Sequence, residues 1–267
     1  MRFRPRFHWE LLVCGLQGHR LVGVDAARLR PEDALYAEER GGLRWYRCLR
    51  CDSWVPLPPP ERPERETPPD RDEIELPLRG KALRDKIVLR VIAVDRAIHF
   101  VVLAGLSVAL ALFASHEMRL RHAFYRIVNA VQGGAAGPHA TVHGSFLHRI
   151  AYVVDLSSTT LYWVAAAAGA YALLEGVEAV GLWYQQRWAE YLTFVAVCVF
   201  LPYELYELAQ TVTVFKIAAL VVNLAVAVYL LWAKRLFGVR GGGAAEERAR
   251  AADVGWDALE RTAPMSR

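Results

Sequence analysis

Hydrophobic residues are gathered into long blocks in the second half of this chain. From Thr159 to Phe237 the sequence is apolar with few interruptions. At about 20 residues per crossing it is long enough to traverse a bilayer three times. An earlier block, IAVDRAIHFVVLAGLSVALALFAS, predicts a first span over 91–115, and the later block divides into spans over 159–183, 191–208 and 212–232. The connections QQRWAE and AQT are so short that the last three spans are expected to pack as antiparallel neighbours. Tyr162, Trp163, Trp183, Tyr184, Trp188 and Trp232 fall near span ends, where amphipathic rings settle at the membrane interface. Ala165–Ala168 with Gly169 gives the second span a small-residue face for close helix contact. Pro202 is expected to kink the third span and to free a carbonyl just before Glu204.

Between the first two spans, His116–Gln132 has the spacing of an amphipathic helix, with Leu120, Phe124, Ile127, Val128 and Val131 on one side. GGAAGP then breaks it. Five histidines (116, 122, 139, 143 and 148) lie in this connection, at spacings that match no rigid ligand template, so they read as solvated side chains. Ahead of the first span, RGKALRDKIVLR is a basic, amphipathic helical start to a membrane domain covering 79–240. Residues 57–78 read as an extended, semi-rigid spacer, since the stretch from Pro56 to Pro77 holds eight prolines and little large apolar surface. Residues 241–267 read as a flexible tail carrying a short helix.

The first 56 residues are a small polar head with its own chemistry. Cys14-x4-His19 is followed after 28 residues by Cys48-x2-Cys51. A Cys-x2-Cys knuckle presents two thiolates from one tight turn, and a second Cys/His half completes the four donors of a tetrahedral zinc site. Thioredoxin-like redox motifs share the knuckle, but the matching upstream half and the lack of a βαβ pattern favour one structural zinc per chain. With all four positions filled by protein, no coordination site is left open for catalysis. The expected fold is therefore all-α: four transmembrane helices preceded by a small zinc-ribbon-like head.

Charged residues recur inside the spans: Asp95 and Arg96 in the first, Glu175 and Glu178 in the second, Glu204 and Glu207 in the third, and Lys216 in the fourth. Each Glu-x-x-Glu pair shares one helical face. At about 1.5 Å per residue, Arg96 lies at the height of the first pair and Lys216 at that of the second. Two layers of opposite charge result. They serve either as ion-pair locks between helices or as a cation or proton path, and both readings stand at this level. Asn223 is read as an interhelical hydrogen-bond donor.

Of 32 basic residues only four are lysines (81, 86, 216 and 234), and the net charge is +4. An Arg bias combined with so much alanine points to a GC-rich bacterial genome, and no dense basic stripe with exposed aromatics marks a nucleic-acid partner. The opening residues do not form a cleavable signal. Nine basic residues flank one set of span ends and four the other, which places both termini in the cytoplasm of a multi-pass protein of the bacterial cytoplasmic membrane. Reduced cytoplasmic thiols agree with metal ligation by the head.

Three stretches, RGKALRDKIVLRVIAVDR, AYALLEGVEAVGLWYQQRWAEYLTFVAVCVFLPYELYEL and NLAVAVYLLWAKRLFGVRGG, resemble the uncharacterised bacterial membrane family called domain of unknown function 2127. The head, with Cys14-x4-His19 and Trp45-x-x-Cys48-x2-Cys51, is similar to that of its actinobacterial branch. The resemblance implies a four-span membrane protein and no established activity. No nucleophile constellation or phosphate cradle suggests an enzyme. The leading expectation is an interaction or sensing head on a membrane body, with a soluble protein partner for the head and a homo-oligomeric body both open. The alternative is a small cation- or proton-conducting transporter or channel subunit that uses the Glu pairs.

Overall fold

The computed structural model describes residues 8–116, 155–234 and 236–262, together with 118, 119, 121–123 and 126. Of the amphipathic helix expected over His116–Gln132, residues 118, 119, 121–123 and 126 are described and are helical; the rest of it, with most of the histidine-bearing connection, lies outside the described residues. Two compact units emerge. One combines the chain up to Leu89 with the chain from Phe194 onward, and the other is Arg90–Thr193.

In the first unit, helix α1 (Trp9–Gln17) precedes a 3-10 turn (Pro31–Leu35) and three short strands: β1 (Ala37–Arg40), β2 (Leu43–Arg47) and β3 (Trp54–Leu57). The strands form an antiparallel sheet in the order β1-β2-β3. Gly41 and Gly42 both hold positive φ, at 63° and 76°, as a two-residue hairpin with the right twist requires. Beneath the sheet, Tyr36, Ala37, Tyr46 and Leu49 form a small core.

That core is completed by segments expected to be independent of it. Residues 57–78 run along the head through a series of bends and a turn at 71–73. Ala27 and Arg28 donate backbone hydrogen bonds to the carbonyls of Arg65 and Glu66 at 2.8 and 3.0 Å. The Arg30 guanidinium reaches Asp70 and the carbonyls of Pro68 and Pro69, and Ile74 and Leu76 pack on the core. A proline-rich strand satisfies few of its own backbone groups, so side-chain donors hold it in place.

The tail packs against the same core. It forms α6 (Gly242–Ala251) and α7 (Trp256–Arg261), and Leu259, 1 % exposed, joins the core. Trp256 donates its ring N–H to the Arg71 carbonyl at 3.1 Å and lies under the Arg71 guanidinium.

Among the described residues, four helices are long and apolar enough to cross a membrane. The first, α2 (Gly80–Ser115), takes the basic segment and the apolar span into a single helix of 36 residues. It starts at Gly80, whose φ of +58° and close approach to Asp253 leave no room for a side chain. Next come α3 (Ser158–Trp183), α4 (Arg187–Gln210) and α5 (Val214–Val228), the last extended by a π-helical turn over Tyr229–Ala233. Pro202 lies inside α4, which continues to Gln210. Within the second unit α2 and α3 run antiparallel: Arg96 meets Glu175, Phe100 faces Gly176, and Ser107 bonds the Ala165 carbonyl at 2.7 Å. The small residues at 165, 169 and 176 permit this approach.

Because Leu259 is a core residue, Leu259→Ala is expected to destabilise the head by about 2–5 kcal/mol. Thermal unfolding of the full chain, read by tryptophan fluorescence, measures it; an unchanged transition would show that the tail contributes no core.

Candidate functional site

The Cys/His cluster is assembled from two local structures. Cys14 sits near the end of α1, whose last turn closes at Gly18 (φ 84°) with a 2.8 Å hydrogen bond back to the Cys14 carbonyl and delivers His19. Cys48 and Cys51 lie in the β2–β3 turn, where Cys48 N–H bonds Ser53 O at 2.8 Å and Asp52 N–H bonds Cys48 O at 3.0 Å. One donor atom from each of Cys14, His19, Cys48 and Cys51 falls within 4.8 Å of the others. The Cys14 and Cys48 sulfurs are 3.7 Å apart and Cys51 Sγ is 3.4 Å from His19 Nδ1. A disulfide requires about 2.05 Å. Tetrahedral ligation with Zn–S near 2.3 Å places sulfurs about 3.8 Å apart. The four residues therefore fit a metal ion such as zinc.

The two buried thiols are not equivalent. Burial pushes the Cys14 thiol up, and the neighbouring sulfurs add to the shift. Burial acts against ionisation of Cys48 too, but backbone N–H groups of Cys51, Arg50 and Arg20 and the His19 side chain bring its thiol well below the ordinary value. Arg20 N–H to Cys48 Sγ is 3.3 Å. Such donors are what a metal-bound thiolate needs around it.

Arginine and aspartate brace the knuckle. Arg47, fully buried, binds Asp52 at 2.7 and 3.1 Å, and Arg79 binds the other oxygen of Asp52. Arg47 also donates to Leu259 O at 3.0 Å and Thr262 Oγ1 at 2.8 Å, tying the knuckle to the tail. A second buried cluster in the same unit joins Lys81 to Asp85 (2.5 Å) and Glu246 (2.8 Å), Lys234 to Glu246 (3.3 Å), and Tyr229 Oη to Asp85 (3.1 Å). Pattern reasoning missed these residues. The one available signal was that two of only four lysines flank the apolar blocks, with Lys81 at i,i+4 to Asp85.

Each predicted layer of span charges falls within one unit. In the second unit Arg96 NH1 donates to both oxygens of Glu175 at 3.1 and 3.3 Å, while its Nε is 3.8 Å from Glu178. Thr193 donates to Glu178 Oε2 at 3.0 Å. His99 Nδ1 lies 3.8 Å from Asp95 and 4.0 Å from Glu175. In the first unit Lys216 binds Glu207 at 2.7 Å and also Thr211. Asn223 donates to Glu204.

The family model described as predicted membrane protein (DUF2127) matches residues 88–234. The uncharacterized proteins Mb0093 of Mycobacterium bovis and Rv0090 of Mycobacterium tuberculosis are each 36 % identical over 267 residues, covering 98 % of both chains. That similarity takes in the head as well as the spans. No solved structure matches.

Removing Arg96 would leave two buried carboxylates without their guanidinium. Arg96→Leu is expected to destabilise the protein by about 3–5 kcal/mol, and Arg96→Leu with Glu175→Leu to recover much of the loss. Thermal melting in detergent compares the two; a double variant as unstable as the single one would refute the lock between α2 and α3.

Proposed function

The chain belongs to the DUF2127 family of predicted membrane proteins, and we propose that it is a non-enzymatic membrane-anchored sensing or interaction module. In this reading a single structural zinc, held by Cys14, His19, Cys48 and Cys51, staples a cytoplasmic head onto a four-span body. The observation that carries the proposal is that three thiol sulfurs and a histidine nitrogen from two distant segments of the chain come within 4.8 Å of one another. With its four positions filled by protein, the ion supplies folding free energy and not a reactive site. Arg47 and Asp52, on either side of the knuckle, transmit its geometry to the tail through Leu259 and Thr262. A soluble protein partner for the head fits this arrangement.

Both termini are assigned to the cytoplasm, on the excess of basic residues at that set of span ends. The second reading, a proton- or cation-handling body, is favoured by the deficit of positive charge around Glu175 and Glu178.

Protein purified without chelator should carry one zinc per chain by elemental analysis, and Cys48→Ser should lose it and release the head to protease while the spans stay inserted. A metal content near zero in folded wild-type protein would overturn the assignment. For orientation, a cysteine placed at Gln210 should react with an impermeant maleimide in intact cells and one at Gly242 only after permeabilisation; the reverse pattern would invert the topology.

A further inference from the structure

Glu178 is 1 % exposed, and its buried Oε1 has no hydrogen-bond partner among the described residues. Its Oε2 accepts from Thr193, a neutral donor, and stands 3.8 Å from Arg96 Nε. Arg96, itself 3 % exposed, commits NH1 to both oxygens of Glu175. One guanidinium thus faces two buried carboxylates, and if both are ionised the site carries one uncompensated negative charge. A lone ionised carboxylate is too expensive in an apolar interior and takes up a counter-charge or a proton.

The surrounding groups do not remove that deficit. His99 lies 3.8 Å from Asp95 and 4.0 Å from Glu175, so Asp95 shares any charge it carries and none is directed at Glu178. Tyr171, beside Glu175, is a neutral donor. A metal ion is disfavoured on two grounds. Arg96 repels it at short range, and among the described residues the group of three or more ligands that closes on one point is the Cys/His cluster of the head. A proton needs only the one free oxygen.

We propose that Glu178 is a proton-binding site within the membrane body, with Glu175 and Arg96 forming a fixed ion pair beside it. Proton uptake makes the Glu175–Arg96–Glu178 group neutral, and release leaves it with a net charge of −1. This site is independent of the zinc head and stands or falls separately from it.

The test uses the full chain in lipid nanodiscs at neutral pH, examined by infrared spectroscopy and thermal melting. Wild type should show the carbonyl stretch of a protonated buried carboxyl that shifts in heavy water. Glu178→Gln, an isostere of the protonated acid, should lose that band and melt close to wild type, whereas Glu175→Gln frees Arg96 to balance an ionised Glu178, so the band should be lost there too but with a lower melting temperature, because the shorter contact to Arg96 is gone. Three outcomes would overturn the proposal: no such band in folded wild type, a band that survives Glu178→Gln, or a Glu178→Gln protein that fails to fold. A melting temperature that rises with sodium or potassium in wild type but not in Glu178→Gln would assign the site to a metal cation instead.

Discussion

An ionised side chain taken out of water must meet an opposite charge or a full set of hydrogen bonds, and here that requirement decides which distant segments come together. Arg47 joins β2 to the tail, Arg30 joins the start of the 3-10 turn to the proline-rich strand, and Lys81 joins the start of α2 to α6. In the second unit Arg96 joins α2 to α3. Hydrophobic burial would permit several pairings of these segments, because one apolar helix face resembles another. A guanidinium or ammonium that must find its carboxylate permits far fewer. Replacing such pairs by apolar residues could leave stability intact, so their contribution is better placed in specifying the arrangement than in strengthening it.

The head illustrates why specification is needed. Its core is a handful of residues, too small to fold a segment of this length unaided. The four Cys/His donors close one end. Leu259 and the docked strand 57–78 cover the rest. Arg47 immediately precedes Cys48 and Asp52 immediately follows Cys51, so their ion pair closes the same turn that a metal ion would close. Asp52 holds φ at 61°, a backbone state uncommon outside glycine, asparagine and aspartate, and the two arginines on its carboxylate hold it there. Metal geometry and tail docking are therefore joined through a single turn.

How far the sequence foretold this depends on which signals are local. The spans were legible because length and apolarity are properties of contiguous residues, and the Cys/His set because ligand spacing within each half is short. Arg96 opposite the Glu175/Glu178 pair followed from depth arithmetic along helices, which is accurate to about one turn of 5.4 Å. One turn is the separation between the two glutamates, so the choice of Glu175 as the closer partner needed coordinates. Docking of residues 57–78 and of the tail was illegible for a different reason. Their composition, rich in proline or charge, is what a solvated linker has, and their order comes from donors such as Arg30 and Arg47 that lie elsewhere in the chain. Leu259, a single apolar contact in a polar tail, gives no periodicity to read.

The two Glu-x-x-Glu pairs share a logic that the spacing alone does not contain. In each, one carboxylate meets a cation: Glu175 with Arg96, Glu207 with Lys216. In each, the other meets a neutral side chain, Thr193 for Glu178 and Asn223 for Glu204. In each, that second carboxylate keeps one buried oxygen, Glu178 Oε1 or Glu204 Oε2, without a hydrogen-bond partner. A cation on a carboxylate fixes it in the ionised form. A hydroxyl or an amide does not, because rotation lets either group accept a hydrogen bond as readily as donate one. The recurrence in both units separates, within each pair, a carboxylate locked to a cation from one held by a neutral side chain.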